Sequence, residues 1–191
     1  MLLIEADGKA LFRSAGLRVP DGMLVAAPWE WSASDVTAPW IVKAQVPVGG
    51  RGKAGGIVRC ADEREVHSAL ARLLQSRIKG HAVQRCLVER AVASEHEWYI
   101  SLMLDPAACA VRVTLLREGG VDVERVDASG CTRLCDPEAS AIVAAIRELA
   151  AGETATRQRA IAEVAENLAG LFLQRELLLA EINPLFFDAQ G

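Results

Sequence analysis

Lys43, Arg51 and Lys53 stand among Gly49, Gly50, Gly52, Gly55 and Gly56, a cluster of cations and glycines in the run KAQVPVGGRGKAGG. Glycine has no Cβ to hold a ligand away from the backbone, so such a stretch lets amide N–H groups approach an anion while Lys and Arg supply charge. The apolar, β-prone residues Trp40, Ile41 and Val42 precede the cluster and Ile57 and Val58 follow it, which places the glycines in a strand-to-strand turn. That placement sorts the phosphate motifs. Gly50-x-Gly52-x-x-Gly55 has the spelling of the dinucleotide fingerprint, but the fingerprint opens a helix and here a strand follows. The P-loop pattern fails as well: Ala54 follows Lys53 where a hydroxyl belongs, and Pro47 stands where the pattern needs its first glycine. A basic, glycine-rich hairpin remains. It reads either as an anion site or as a tight turn with solvated basic residues.

Four further residues could do chemistry. Glu89 and Glu97 lie on strand-like runs among apolar neighbours, where an ionised carboxylate needs a partner. Arg85 or Arg90 could provide one at the surface, and donors on a ligand are the alternative. Glu181 and Asn183 end the apolar run Glu176-LLLAEIN, and strand alternation puts both side chains on one face, two oxygens that suit a hard cation such as magnesium. Cys131-x-x-x-Cys135 has neither a second Cys pair nor a nearby His to complete a tetrahedral set, so both read as ordinary residues.

The elements that must position these residues follow from periodicity and caps. A helix over 3–15, with Ile4, Leu11 and Phe12 on one face, ends at Gly16 with Pro20 beyond, and a short strand follows at 23–26. Trp29, Trp31 and Trp40 crowd the stretch before the hairpin, as hydrophobic cover for the adjacent strand or as an interface. Asp62-x-x-Glu65 is a capping box for a helix with Val66, Leu70, Leu73 and Leu74 on one face, ending near Arg77. Strands are predicted over 83–92 and 97–104, the second with Trp98, Ile100, Leu102 and Leu104 alternating inward. Val111–Leu116 and Val121–Val126 continue an antiparallel run through Gly119-Gly120. Asp136 as N-cap and Pro137 at the first helical position open a helix carrying Ile142, Ile146 and Leu149. A second helix carries Ile161, Val164, Leu168 and Leu171, and a strand of the buried kind closes the chain.

Composition bounds the class. A chain of 191 residues, 51% of them hydrophobic, can bury a core as one medium domain or two small lobes, an α+β arrangement on the elements above. A net charge of −4 argues against a nucleic-acid partner. Five cysteines, an odd count without framework spacing, suit a reducing compartment, and the cytoplasm is the expectation. The opening MLLIEADGKALF lacks the basic start of a signal peptide, and no apolar run reaches membrane-spanning length.

VKAQVPVGGRGKAGG resembles the nucleotide-binding signature of the succinyl-CoA synthetase (ADP-forming) β subunit, an ATP-grasp protein of the acid–CoA ligases, malate–CoA ligase included. Leu87-Val88-Glu89, Glu97-Trp98-Tyr99, Glu118-Gly119-Gly120-Val121 and Glu181-Ile182-Asn183-Pro184-Leu185 resemble that family's motifs in its order, and Leu11-Phe12 resembles its opening helix. The resemblance implies an ATP-grasp fold over 1–191, with a small lobe at about 21–90 whose glycine hairpin closes over the nucleotide and a larger lobe from 1–20 plus 91–191. It implies ATP or GTP with Mg2+ as cofactors and Lys43, Gly50, Arg51, Gly52 and Lys53 at the phosphates. Glu89 would lie at the adenine, Glu97 at the ribose hydroxyls, and Asn183 on the metal. The family's second metal ligand is an Asp about a dozen residues beyond the Asn. Asp188 is too near for that part, and the family's C-terminal flavodoxin-like domain has no counterpart in this sequence. None of His67, His81 or His96 has the glycine-rich setting of the family's phosphoryl-accepting histidine, which sits on an α subunit that binds CoA. The function implied is the nucleotide-binding part of an acid–CoA ligase with such a partner. The alternative is a non-catalytic nucleotide-sensing or scaffold subunit.

Overall fold

The computed structural model describes residues 2–94, 96–120 and 130–187. They form two compact units, residues 1–13 with 18–93 and residues 14–17 with 94–191, so the opening helix belongs with the first sheet.

The first unit is built on a four-stranded antiparallel sheet of β1 (Gly22–Val25), β6 (Cys86–Arg90), β2 (Trp40–Ala44) and β3 (Ile57–Cys60), in that spatial order. Strand alternation decides its core. Trp40, Val42 and Ala44 of β2 are buried between partly buried Ile41 and Lys43, and Val42 stands opposite Val88 and Val58. Helix α2 (Glu63–Leu74) covers this face with Val66, Leu70 and Leu73. Its cap is the one the sequence spells: Asp62 Oδ1 accepts from Glu65 N at 2.8 Å. The reciprocal bond runs one residue further back than a standard capping box, from Ala61 N to the Glu65 carboxylate at 2.7 Å. The helix stops at Leu74, and Arg77–Ile78 and His81–Ala82 form a short hairpin, β4 and β5, where the helix was expected to continue to Arg77. The following strand is also shorter than 83–92.

Trp31 and Trp40 meet edge to face with centroids 5.4 Å apart, and Trp40 Nε1 donates to Val36 O at 2.7 Å. Both rings are core, as hydrophobic cover requires. Trp29, in the short 3-10 turn Pro28–Glu30, is 84% exposed and takes no part. Helix α1 (Glu5–Ser14) has no fully buried residue; Ile4, Leu11 and Phe12 are half-buried.

In the second unit the sheet order is β10 (Leu179–Phe187), β7 (His96–Asp105), β8 (Ala110–Leu116) and β9 (Thr132–Cys135), antiparallel throughout. Trp98, Ile100 and Leu102 point inward from β7, with Val111, Val113 and Leu115 beside them on β8. Leu104 departs from the predicted alternation and is 38% exposed. Helices α3 (Ala139–Leu149) and α4 (Ala155–Gln174) bury Ile142, Ile146, Ile161 and Leu168. The predicted strand Val121–Val126 lies outside the described residues; the neighbour that β8 does have is β9, where no strand was predicted.

Helix α3 does not start on Asp136-Pro137: Glu138 is the N-cap, in extended conformation and with no side-chain cap bond, and Asp136 instead accepts from Glu138 N through its carbonyl at 2.8 Å. Strand β10 is not buried. It is the edge of its sheet, with Leu179 49% exposed, and the apolar residues before and within it do not all face a core.

Leu70 is fully buried at the centre of the α2 face. Leu70→Ala is expected to lower the stability of the first unit by about 2–5 kcal/mol, measured by urea unfolding with tryptophan fluorescence. A loss below about 0.5 kcal/mol would show that this helix is not what closes the core.

Candidate functional site

The strands β2 and β3 pair up to Lys43 opposite Ile57, and Ala44 N donates to Gly56 O at 2.7 Å where the ladder ends. The chain then turns twice. Gly55 N donates to Gly52 O at 3.1 Å and Gly56 N to Arg51 O at 2.8 Å, with Gly50 and Gly55 at φ +66 and +74, a region open chiefly to glycine. Gly52 and Lys53 lie within this turn. The turn is held on two sides: Arg51 Nη1 donates to Ala44 O at 2.9 Å, and Lys79 Nζ donates to Gly49 O at 2.8 Å. No helix follows, so the strand-to-strand reading of the glycines is what the structure has.

Below the turn five ionisable side chains interlock. Arg51 Nη2 meets Glu5 Oε2 at 2.6 Å, while Glu5 Oε1 takes Lys43 Nζ at 3.0 Å and Lys9 Nζ at 2.8 Å. Glu89, only 3% exposed, takes Lys43 on one oxygen and Lys9 on the other. Its partners are therefore these two lysines rather than Arg85 or Arg90. Three cations on two carboxylates leave one positive charge under the glycine turn, the sign a phosphate needs. Burial works to raise the Glu5 carboxyl pKa, but Lys43, Lys9 and Arg51 together override it and hold the group well below the usual carboxylate range. Lys43 is the mirror case: burial works against its charge, and Glu5 and Glu89 override that and raise its pKa. The network also fastens α1, through Glu5 and Lys9 and through Ala6 N, which donates to Gln45 Oε1 at 2.9 Å.

Glu5 and Lys9 were not among the residues singled out from the sequence. The available signal was their i, i+4 spacing, which on an isolated helix signifies only a surface ion pair.

The remaining candidates are in the second unit. Glu97 O accepts from Gly119 N at 2.5 Å, and the two chains run so close that a Cβ on Gly119 would lie 2.3 Å from Trp98 O. Next to it Asn183 grips Gly120 with its whole amide: Oδ1 accepts from Gly120 N at 2.6 Å and Nδ2 donates to Gly120 O at 3.0 Å. The two glycines thus bring Glu97 and Asn183 together. Glu181 accepts from Tyr99 Oη at 3.2 Å, and the register of β10 shifts between Ile182 and Leu185, which interrupts the alternation that was to align Glu181 with Asn183. Among the described residues no group of three or more His, Cys, Asp or Glu could hold a metal ion. One occupied amide and one carboxylate do not fit a magnesium site, which takes about six oxygen ligands.

Burial pushes the Cys86 thiol up to about 12 and raises Cys60 and Cys135 as well, which disfavours the thiolate at these three positions. No helix among the described residues is long and apolar enough to cross a membrane.

Two units, each with an antiparallel sheet and helices, and a basic glycine hairpin between two strands of the first, define an α+β protein of the ATP-grasp kind. The chain belongs to the ATP-grasp domain family designated ATP-grasp_2, whose sequence model matches residues 2–187. It is 34% identical over 205 residues to the succinate–CoA ligase (ADP-forming) subunit beta of Deinococcus radiodurans, covering 100% of this chain and 52% of that protein. The chain spans about half the length of the curated relatives it matches. Among solved structures it resembles ATP citrate lyase from Methanothrix soehngenii in complex with citrate and coenzyme A, with a TM-score of 0.75 at 20% identity over 99% of this chain and 48% of that one. It also resembles the dinucleotide-forming acetyl-coenzyme A synthetase 1 of Ca. Korarchaeum cryptofilum, at TM-score 0.71 and 21% identity over 96% and 86% of the two chains. These two likenesses support the fold.

The charge network makes a pH prediction. Unfolded Glu5 takes up its proton near the ordinary 4.5, whereas in the folded chain it stays ionised well below that, so the unfolded state binds more protons on the acid side. Its contribution to stability is full above the ordinary carboxylate range and is lost as pH falls through and below it. Lys43 works in the opposite sense, contributing fully below 10.5 and losing its contribution as pH rises beyond. Urea midpoints measured from about pH 7 to about pH 3 should fall steeply for wild type and more gently for Glu5→Gln; parallel curves would show that Glu5 is not linked to folding.

Proposed function

We propose that this chain is the nucleotide-binding part of an acid–CoA ligase, supplying the phosphoryl group of ATP or GTP for the formation of an acyl phosphate and then an acyl-CoA. The observation that carries the reading is the basic hairpin between β2 and β3, with Lys43 and Arg51 fixed beneath its glycines and a net positive charge around them. In this reading Lys43, Arg51, Lys53 and the amides about Gly50 and Gly52 offset charge on the phosphates, and catalysis by this part is electrostatic. Glu89 serves the adenine side and Glu97 accepts from ribose hydroxyls. The nucleotide enters as its magnesium complex.

A histidine-bearing, CoA-binding subunit or domain of the α type completes the reaction and brings the carboxylic acid and CoA. The His67 ring is packed edge-on against Trp31, with centroids 5.4 Å apart, a structural position rather than that of a phosphoryl acceptor. The cytoplasm suits this role and the five free thiols.

One observation favours a second reading, a nucleotide-sensing or scaffold subunit without catalysis: Asn183 is committed to Gly120, and the described residues gather no metal-holding cluster. Adding labelled ATP and a histidine-bearing α partner separates the two, since label passing to the partner's histidine supports the ligase and binding without transfer supports the sensor.

Calorimetric titration of Mg·ATP tests the shared premise. Wild type should bind, and Lys43→Ala should bind at least about tenfold more weakly, a loss of about 1.4 kcal/mol. Equal affinity in both, or no heat in either, would remove the nucleotide site from this hairpin.

A further inference from the structure

Arg51 and Lys43 are cations on a turn and a strand, and neither is placed by its own element alone. Arg51 lies between Gly50, whose φ is left-handed, and Gly52, in a turn whose neighbouring glycines offer its side chain nothing to pack against. Two contacts fix the guanidinium: Nη1 on the Ala44 carbonyl and Nη2 on Glu5 Oε2 at 2.6 Å. Lys43 has its ammonium between Glu89 and Glu5 Oε1. Glu5 is thus the side chain that both cations share, each on its own carboxylate oxygen, and it comes from α1, outside both the strand and the turn that carry them.

A carboxylate beside two phosphate-binding cations has two opposed effects. By charge alone it weakens an incoming polyphosphate. By geometry it strengthens binding, because it holds two long side chains in one arrangement before the ligand arrives and so removes their ordering from the free energy of association. The contacts decide between them. Glu5 meets Arg51 on one nitrogen, while the other reaches back to Ala44, so the carboxylate grips the guanidinium at one end. Its second oxygen is shared with Lys9 of its own helix, which keeps the carboxylate from following Arg51 alone.

We propose that Glu5 is a positioning residue of the glycine hairpin: its carboxylate sets Arg51 and Lys43 in the places from which they meet the phosphates of a nucleotide. The inference rests on the nucleotide-binding reading above, and the experiment keeps the two apart. Mg·ATP is titrated into wild type, Glu5→Gln, Arg51→Ala and the double variant, each first checked for fold by circular dichroism. Wild type that binds no nucleotide overturns the binding reading and this inference with it. If wild type binds, the expected result for Glu5→Gln is a Kd raised about tenfold, although the substitution deletes a negative charge near the ligand. In the Arg51→Ala background the same change should have a much smaller effect, because the residue it positions is gone. Unchanged or tighter binding by folded Glu5→Gln overturns the proposal, as does an effect undiminished without Arg51. Should Glu5→Gln fail to fold, Glu5→Asp serves: it keeps the charge and leaves Lys9 on Glu89, but withdraws the carboxylate from Arg51 and Lys43 by one methylene. A Kd raised by a smaller factor supports the proposal, and an unchanged one overturns it. A ligand-free readout accompanies these: the nitrogen-15 guanidinium resonances of Arg51 should be split by hindered rotation in wild type and averaged in Glu5→Gln, and averaging in both overturns the proposal.

Discussion

Charge removed from water must be met by charge, and that constraint organises the first unit. Glu89 is nearly fully enclosed on the central strand β6, where an unpaired carboxylate is strongly destabilising. It can stay ionised because Lys43 from the neighbouring strand and Lys9 from α1 close on its two oxygens. Lys43 and Lys9 then need further compensation, which Glu5 provides, and Glu5 in turn reaches Arg51 in the turn. Sheet, helix and hairpin are joined by one alternating series of signs. Packing of α2 on the opposite face supplies the apolar part of the stability, but it does not determine where the hairpin's cations sit.

The second unit solves a related problem with neutral groups. The Gly119 backbone lies against Trp98 O at a distance that excludes any side chain, and Asn183 satisfies both the N–H and the C=O of Gly120. A primary amide is the natural group for this, since it carries a donor and an acceptor at the spacing of a peptide unit. Two strands and a loop are thereby pinned around Glu97 without a buried ion pair.

Apart from the stop of α2 and the start of α3, local signals in the sequence were sufficient where the determining residues were neighbours. Apolar runs on either side of the glycines marked the β2–β3 hairpin, and Asp62 with Glu65 marked the start of α2. The inward alternation of Trp98, Ile100 and Leu102 was readable as a strand buried on one face. Misreadings came where distant contacts decide. One of the two partners of Glu89 is Lys9, 80 residues away, and no short-range rule prefers it to the adjacent Arg90. Edge position, not composition, exposes β10, and an apolar run does not say which side of a sheet it will close. The family motifs indicated the hairpin, Glu89, Glu97 and Asn183, but not the polar contacts that give each its orientation. Glu5 was invisible because an i, i+4 pair on a helix looks the same whether it faces solvent or a strand.

Helix α1 has no fully buried residue, only half-buried ones such as Leu11 and Phe12, and ion pairs and an amide bond from Ala6 help tie it to the sheet. An element held in part by ion pairs opens with an ionic-strength dependence that the apolar core lacks. Amide exchange along α1 should therefore respond to salt while the core strands do not, making the opening helix a sub-globally opening segment within an otherwise cooperative unit.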